Sequence, residues 1–303
     1  MLTPLQPDLL ATFLAIAEGG SFTGAADRVR RTQSAVSMQV KRLESAIGRP
    51  LFERGAGCAR LTPAGEALLP YAKRILRMHE EAWSAVANPE VAGAVRLGTP
   101  DDYASSLLPP VLARFAATFP RVEVQVRCES SNRLYDLVSR RELDLALVTR
   151  QPIRADLATV RYEPLVWISA FESSVHEHDP VPLAVFQPGC RTRELALRAL
   201  TSADRRHRIA YSSPSLAGLL AVVDAGLAVA AVARCSVPTG LRVLGEKHGF
   251  PPMPPLELSV AQATLTPTAA VEALAGHIVD SLNEDPMLPS EVLVSALEAG
   301  VGR

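Results

Sequence analysis

Apolar residues recur at every third or fourth position through the first part of the chain, and at every second position or in short runs through much of the rest. The first spacing is that of helices with one buried face, the second that of strands. Leu10, Phe13, Leu14 and Ala17 mark a first helix, which Asp8 can cap and Gly19-Gly20 can end. Thr23 to Val29 predicts a short second helix with Ala25 and Ala26 on a side where another backbone can come close. Val36, Val40, Leu43 and Ile47 give a third helix, Gln33 to Ile47, one buried face, and the Thr32 hydroxyl can cap its free N–H groups. Its other face presents Gln33, Ser34, Ser37, Met38 and Lys41, side chains suited to probing a groove. From Thr62-Pro63, a hydroxyl cap followed by proline at the first helical position, a helical pattern runs to about Asn88. Its stripe is Leu69, Ala72, Leu76, His79, Trp83 and Val86, spaced for packing along a partner.

Beyond Pro89 the pattern alternates between strands and helices. Ala94 to Gly98, Val122 to Cys128 and Leu143 to Val148 read as strands, separated by helices over Ala104–Phe119 and Leu134–Arg140. A second set follows from about Tyr162, with strands near Leu165–Ala170, Leu183–Phe186, Arg208–Ser212 and Leu227–Ala233 and helices near Arg193–Leu200 and Leu216–Ala225. Such a succession predicts an α/β fold with largely parallel sheets. The strand near Leu256–Ala263 and the helix from Thr268 return to the first set, which makes two lobes joined by a hinge. Val292, Leu293, Ala296 and Leu297 suggest a short extra helix in the tail.

The second and third helices, joined by a tight turn, form a helix-turn-helix whose second helix can enter a DNA major groove. Charge agrees: from Arg28 to Arg60 the chain carries Arg28, Arg30, Arg31, Lys41, Arg42, Arg49, Arg54 and Arg60 against Glu44 and Glu53. Phosphate neutralisation requires such a surplus. Pro50 to Thr62, anchored by Leu51 and Phe52, reads as a two-stranded wing from which Arg54 and Arg60 reach phosphates beside the groove.

Several short stretches, in order, carry a family resemblance: Asp8–Phe13, Gly20-Ser-Phe-Thr-Gly-Ala-Ala26, Thr32-Gln-Ser-Ala-Val-Ser37, Lys41-Arg-Leu-Glu44, Gly48-Arg-Pro-Leu-Phe-Glu-Arg54 and Leu61-Thr-Pro-Ala-Gly65. They resemble the winged helix-turn-helix of LysR-type transcriptional regulators. Gly98-Thr-Pro100, Leu107-Leu-Pro109, Phe115, Pro120, Gly226-Leu227 and Arg242-Val-Leu244 are similar to the effector-binding domain of the same family. Pro100-Asp-Asp-Tyr-Ala104 is similar to one subgroup whose members regulate motility and surface behaviour. The resemblance implies an N-terminal all-α winged helix-turn-helix over 1–62, a long linker helix for dimerisation over 63–90, and a C-terminal α/β two-lobed effector domain of periplasmic-binding-protein type over 91–303. Lobe I is then 91–161 with 264–303, and lobe II 162–263. The expected DNA-binding residues are Thr32, Gln33, Ser34, Ser37, Met38, Lys41, Arg42 and Arg54. Met38 stands where many members place an arginine, and Gly55 to Cys58 replaces a more polar wing tip.

In an open α/β sheet, ligands lie beyond the carboxyl ends of the strands, where helix N-termini offer free N–H groups. That rule, together with matching family positions, selects Thr99, Pro100, Asp101, Glu129, Ser130, Thr149, Ser213 and Ser215 as effector-binding residues facing a cleft between the lobes. Serines and threonines before helices also serve as ordinary caps. Asp101, Asp102 and Glu129 depart from the hydroxyl-rich cleft expected for carboxylate effectors and point to a cationic or hydroxyl-rich ligand if they line it.

At 303 residues, 48% of them hydrophobic, the chain can bury two or three cores. The net charge of −1 combines a basic N-terminal block with a mildly acidic remainder, as expected if one module meets nucleic acid. No apolar run is long enough to cross a bilayer, and Met1 is followed by Leu-Thr-Pro without a basic and then apolar leader, so a cytoplasmic location is expected. Cys58, Cys128, Cys190 and Cys235 form neither a CxxC pair nor a set of metal ligands, and buried reduced thiols are expected. An alternative is a redox-sensing regulator using Cys190, flanked by Arg191 and Arg193, or Cys235. No nucleophile elbow, phosphate loop or paired acid and base suggests an enzyme. The expected partners are double-stranded DNA, a small-molecule effector of unknown identity, further copies of the chain in a homodimer or homotetramer, and RNA polymerase, with no cofactor and no membrane.

Overall fold

The computed structural model describes residues 5–53, 59–87, 91–152, 157–263 and 267–283. It divides into an N-terminal unit, Met1–Glu90, and a C-terminal unit, Val91–Arg303. The expected tail helix over 289–303 lies outside the described residues.

The N-terminal unit consists of helices α1 (Pro7–Gly19), α2 (Phe22–Arg28), α3 (Gln33–Ile47) and α4 (Pro63–Ala87). Gln6, not Asp8, is the cap residue of α1; Pro7 occupies its first turn and Asp8 follows within it. Proline's fixed φ already suits that position, which moves the start one residue earlier than the acidic side chain suggests. Leu10, Phe13, Ile16, Ala25, Val36, Val40, Leu43, Leu51 and Phe52 meet in one core, reached by Leu68, Leu69, Ala72, Ile75 and Leu76 of α4. Each large aliphatic side chain in it contributes about 1.5–3 kcal/mol by burial.

Polar contacts hold the segment after α3. Glu44 Oε1 accepts from the backbone N–H of Leu51 at 2.7 Å, and Thr62 Oγ1 donates to the Pro50 carbonyl at 2.8 Å while accepting from Gly65 N at 3.1 Å. A Cβ on Gly65 would lie 2.3 Å from the Leu51 carbonyl oxygen, so only glycine permits this approach. Of the expected wing, an antiparallel bridge between Phe52 and Leu61 is described, whereas Arg54 and Gly55–Cys58 lie outside the described residues.

The C-terminal unit contains β1 (Gly93–Thr99), α5 (Asp101–Ser106), α6 (Leu108–Thr118), β2 (Val122–Cys128), α7 (Ser131–Ser139), β3 (Leu145–Thr149), β4 (Arg161–Glu163), β5 (Leu165–Ala170), β6 (Val181–Phe186), α8 (Arg191–Ser202), β7 (His207–Ser213), α9 (Leu216–Asp224), β8 (Val229–Ala233), β9 (Leu241–Leu244), β10 (Leu256–Gln262) and α10 (Ala269–Asn283). The strands form two sheets, ordered β2-β1-β3-β10-β4 and β7-β6-β8-β5-β9. In each, four strands run in one direction and one, β10 in the first sheet and β5 in the second, runs against them between its two neighbours.

Two expectations are corrected, and two strands are added. The helix over Ala104–Phe119 begins earlier and divides at Leu107 into α5 and α6, because Pro109 and Pro110 supply no N–H for the carbonyls one turn before them. The recrossing precedes Leu256, not residue 264: β10 pairs with β3 and β4, so it belongs to lobe I, as does β4. The short strands β4 and β9, of three and four residues, carry too few positions for a period to be visible.

Helices cover both faces of each sheet. Phe115 of α6 and Leu274 and Ile278 of α10 pack with Val95, Leu97 and Leu145. Leu134 and Leu137 of α7 pack with Leu143, Ala146 and Val148 on the opposite face. A Cβ on Gly98 would come within 2.6 Å of both the Leu134 and Leu143 side chains, so glycine there lets α7 reach the sheet. In lobe II, α8 contributes Ala196 and Leu200 to one face and α9 contributes Leu219 and Val223 to the other.

Candidate functional site

In the N-terminal unit, α3 turns its apolar residues inward and leaves Thr32, Gln33, Ser34, Met38, Lys41 and Arg42 exposed, with Ser37 half-buried. Thr32 Oγ1 accepts from Ala35 N at 3.3 Å and lies 3.0 Å from Ser34 Oγ, so these hydroxyls organise the helix start. Met38 is 62% exposed, a large apolar side chain placed where it can meet only solvent or a partner. The α2–α3 turn is tight: Arg30 adopts φ +50° and Arg31 N bonds the Ala26 carbonyl at 2.9 Å. Gln39, on the inner flank, accepts from Thr12 Oγ1 at 2.8 Å and ties α3 to α1. Arg28, counted in the basic surplus, sits 3.6 Å from Glu18, which also meets Lys73 at 3.3 Å.

Along α4, Ala72 is buried, whereas His79 is exposed, Trp83 is 70% exposed and Val86 81%. The stripe is thus covered over its first turns and bare over its last within one chain.

In the C-terminal unit a cleft of about 440 Å³ opens beyond the carboxyl ends of β1, β2, β3 and β6, between the two lobes. Lobe I contributes Pro100, Asp101, Asp102, Glu129, Ser130 and Thr149; lobe II contributes Phe186, Pro188, Arg191, Thr192 and Ser215. Three hydrogen bonds join the lobes around it. Asp101 Oδ2 accepts from Ser215 Oγ and from Leu216 N, each at 2.8 Å. Asn132 Nδ2 donates to the Gly189 carbonyl at 3.1 Å.

Two expected residues stand outside the cleft lining. Thr99 is fully buried at the end of β1 with its hydroxyl unpaired, and Ser213 Oγ accepts from Ser215 N at 3.1 Å instead of facing a ligand. Thr149 lines the cleft, but its hydroxyl is bound to Tyr103 Oη at 2.7 Å, and Ser131 Oγ takes its N–H at 3.0 Å. Asp101 and Asp102 are not on an extended segment: they form the first turn of α5 and diverge, Asp101 toward α9 and Asp102 into a buried position. Sequence reasoning missed Gln151, Gln187, Arg191 and Thr192. The strand-end rule could have found Arg191 and Thr192, which begin α8 just after β6.

Asp102 is 8% exposed, and its Oδ1 accepts from Tyr103 N at 3.0 Å. Burial, reinforced by the charges of Asp101 and Glu163, pushes its carboxyl up to about 7. Burial and the Asp102 charge likewise push the Tyr103 phenol up. Glu129 pairs with Arg127 at 3.3 Å near the surface. Among the described residues no group of His, Cys, Asp and Glu could hold a metal ion.

The cysteines differ from expectation in one respect: Cys128 is exposed, at the end of edge strand β2, while Cys190 and Cys235 are half-buried. Burial pushes the Cys190 thiol up and the Cys235 thiol to about 12, the opposite of what an activated thiolate needs. The neighbouring arginines do not reverse this, since Arg193 donates to the Phe186 carbonyl at 2.8 Å and Arg191 lies 3.4 Å from Glu194. No described helix is long and apolar enough to cross a membrane.

Comparison with known proteins accounts for both units. Residues 7–66 match the bacterial regulatory helix-turn-helix protein, lysR family, and residues 88–283 match the LysR substrate binding domain. The HTH-type transcriptional regulator DgdR of Burkholderia cepacia is 39% identical over 274 residues, covering 90% of this chain and 93% of DgdR. PecT of Dickeya dadantii (strain 3937), another HTH-type transcriptional regulator, is 34% identical over 250 residues, 82% of this chain and 79% of PecT. In fold, the chain is similar to Vibrio fischeri DarR in complex with DNA, with a TM-score of 0.53 at 17% identity over 91% of this chain and 99% of that one. A helix-turn-helix with an exposed polar face, a two-lobed domain with a cleft, and relatives matched over most of their length lead to one conclusion: the chain belongs to the LysR family of DNA-binding transcriptional regulators, which act by binding and not by catalysis.

Proposed function

We propose that this regulator reads its operator through the exposed face of α3 and is controlled by a small effector held between the two lobes. The observation that carries the second half is the cleft itself, bounded by Asp101–Ser215 and Asn132–Gly189 and lined by helix starts from both lobes. A ligand touching both lobes binds their closed arrangement better than an open one, and only such a difference in affinity can shift an equilibrium. Gln33, Ser34, Ser37 and Met38 discriminate bases, while Lys41, Arg42 and, from the wing, Arg54 contact phosphates. The division follows the sequence: a winged domain to about residue 62, a linker helix to 90, and the effector domain beyond.

Trp83 and Val86, bare at the far end of α4, support self-association through that helix into a homodimer, or a homotetramer with further contacts. Paired recognition helices then meet two half-sites of an interrupted palindrome. Action on DNA places the protein in the cytoplasm, with RNA polymerase as the partner that receives the signal. The run Pro100–Ala104, which forms the start of α5, marks the subgroup concerned with motility and surface behaviour.

The test is selection of genomic fragments by the purified protein at two salt concentrations, followed by footprinting with and without metabolites from the adjacent pathways. An imperfect palindrome whose protection changes with a metabolite supports the reading. Indiscriminate retention of fragments at both salts would count decisively against it.

A further inference from the structure

The cleft carries both signs of charge. Three carboxylates line it on the lobe I side, and they are not equivalent. Asp101 is committed to the N-terminus of α9, and Glu129 has Arg127. Asp102 has no cationic partner among the described residues: its hydrogen bond comes from a backbone N–H, and the nearest charges, Asp101 and Glu163, repel it. A buried carboxylate in that position is satisfied by a proton or by a cation.

Helices α7 in lobe I and α8 in lobe II, of nine and twelve residues, begin at the cleft, and neither is capped by a side chain. Ser130, which precedes α7, makes no cap bond, and Ser131 is turned to Thr149 N. Cys190, which precedes α8, makes no cap bond, its sulfur lying only as a weak acceptor near the N–H groups of Thr192 and Arg193. Arg191, in the first turn of α8, lines the cleft with only a surface contact to Glu194 at 3.4 Å. Helix starts without an oxygen cap and a guanidinium make an anion receptor. The lining also includes Pro100, Phe186, Pro188 and Pro214, apolar surface fit for a short carbon skeleton.

We propose that the effector is a small zwitterion of the amino-acid type, its ammonium seated against Asp102 and its carboxylate received by the starts of α7 and α8 beside Arg191. The assignment rests on the reading of this cleft as the effector site. Dicarboxylates would meet the repulsion of Asp102 and Glu129, and diamines that of Arg191. The ammonium requires an ionised Asp102. The groups facing that carboxyl are Asp101 and Tyr103 on α5, Glu163 on β4, itself held by Arg161 at 2.7 Å, Cys190 before α8 and Cys235 after β8. With the carboxyl titrating near neutrality, affinity is expected to fall roughly tenfold from pH 8 to pH 6.

The full-length protein is titrated calorimetrically, and melted, with the protein amino acids and with matched probes of one skeleton, such as L-valine, L-2-hydroxyisovalerate and isobutylamine. The expected result is that at least one amino acid binds and raises the melting temperature. Its hydroxy-acid and amine counterparts should bind at least tenfold more weakly, and Asp102→Asn, nearly isosteric, should lose the preference for the ammonium. Arg191→Met, which keeps the length and apolar stem of this half-buried side chain, should lose the preference for the carboxylate. The inference is overturned if no amino acid binds, or if the hydroxy acid binds as well as the amino acid. A dicarboxylate that binds wild type but not Ser130→Trp, which fills the cleft, would overturn the zwitterion alone and leave the cleft as the effector site. An amino acid that binds Ser130→Trp as well as wild type would overturn both.

Discussion

Asp101 in the first lobe caps a helix in the second: its Oδ2 lies 2.8 Å from both Ser215 Oγ and Leu216 N, at the start of α9. The residue before that helix makes no cap of its own, so the acid acts across the cleft as its N-cap and places a negative charge at the positive end of the helix dipole. Asp101→Ala is expected to lower the stability of the C-terminal unit by about 1 kcal/mol and to open the lobes. Chemical denaturation and small-angle scattering of wild type and variant check both effects; equal midpoints and equal radii would remove the clasp from consideration.

Asp102 gives a pH dependence of definite sign. Its carboxyl is raised from 3.8 to about 7 in the folded protein. Between those values the native state keeps a proton that the unfolded chain has released, so stability from this group is full at low pH, declines as pH rises and is lost above about 7. The difference amounts to a few kcal/mol in order of magnitude. Asp102→Asn should therefore gain stability relative to wild type as pH rises from 5 to 8. A gap in melting temperature that stays constant over that range would show that the carboxyl titrates elsewhere.

Residues on the face of α3 should separate into two classes. Gln33→Ala and Ser37→Ala are expected to relax base discrimination with a modest loss of affinity. Lys41→Ala, Arg42→Ala and Arg54→Ala should weaken binding to all sequences and each reduce the salt slope by about one. Binding of operator and scrambled DNA across a salt series distinguishes them, and identical behaviour of the two classes contradicts the assignment of roles.

Gly98 has no room for a side chain, since a Cβ there would stand 2.5 Å from Leu134 Cδ2. Gly98→Ala should displace α7 from the sheet and cost about 1–3 kcal/mol, the range for overpacking. Because α7 begins at the cleft, the same variant is expected to weaken effector binding. Wild-type stability in Gly98→Ala would be incompatible with this packing.

Glu44 couples the recognition helix to the segment that follows it, through the 2.7 Å bond from Leu51 N. Glu44→Ala leaves that part-buried N–H without its acceptor, which costs about 1–3 kcal/mol. A melting temperature unchanged from wild type would show that water or another acceptor replaces it.

The helices of the N-terminal unit were legible in the sequence because each is a local object: Val36, Val40 and Leu43 repeat at the period of one element, and Thr32 caps it from the adjacent position. The same holds for the long strands and for the rule that helix starts gather at strand ends, which located Pro100, Asp101, Glu129, Ser130, Thr149 and Ser215 at the cleft. What a side chain does there was not local. Thr99 and Thr149 look alike in the sequence, yet one is sealed with an unpaired hydroxyl and the other is bound to Tyr103, 46 residues away. Asp101 and Asp102 are neighbours whose roles part only when α9, more than a hundred residues later, arrives to take one of them. The return of β10 to the first set was expected from the order of elements, but the place of β4 in the same sheet depended on its pairing with β10, a contact that no period within three residues encodes. Periodicity specifies which face of an element is buried; which partner covers that face, and hence the charge state of a group such as Asp102, is decided when distant segments pack together.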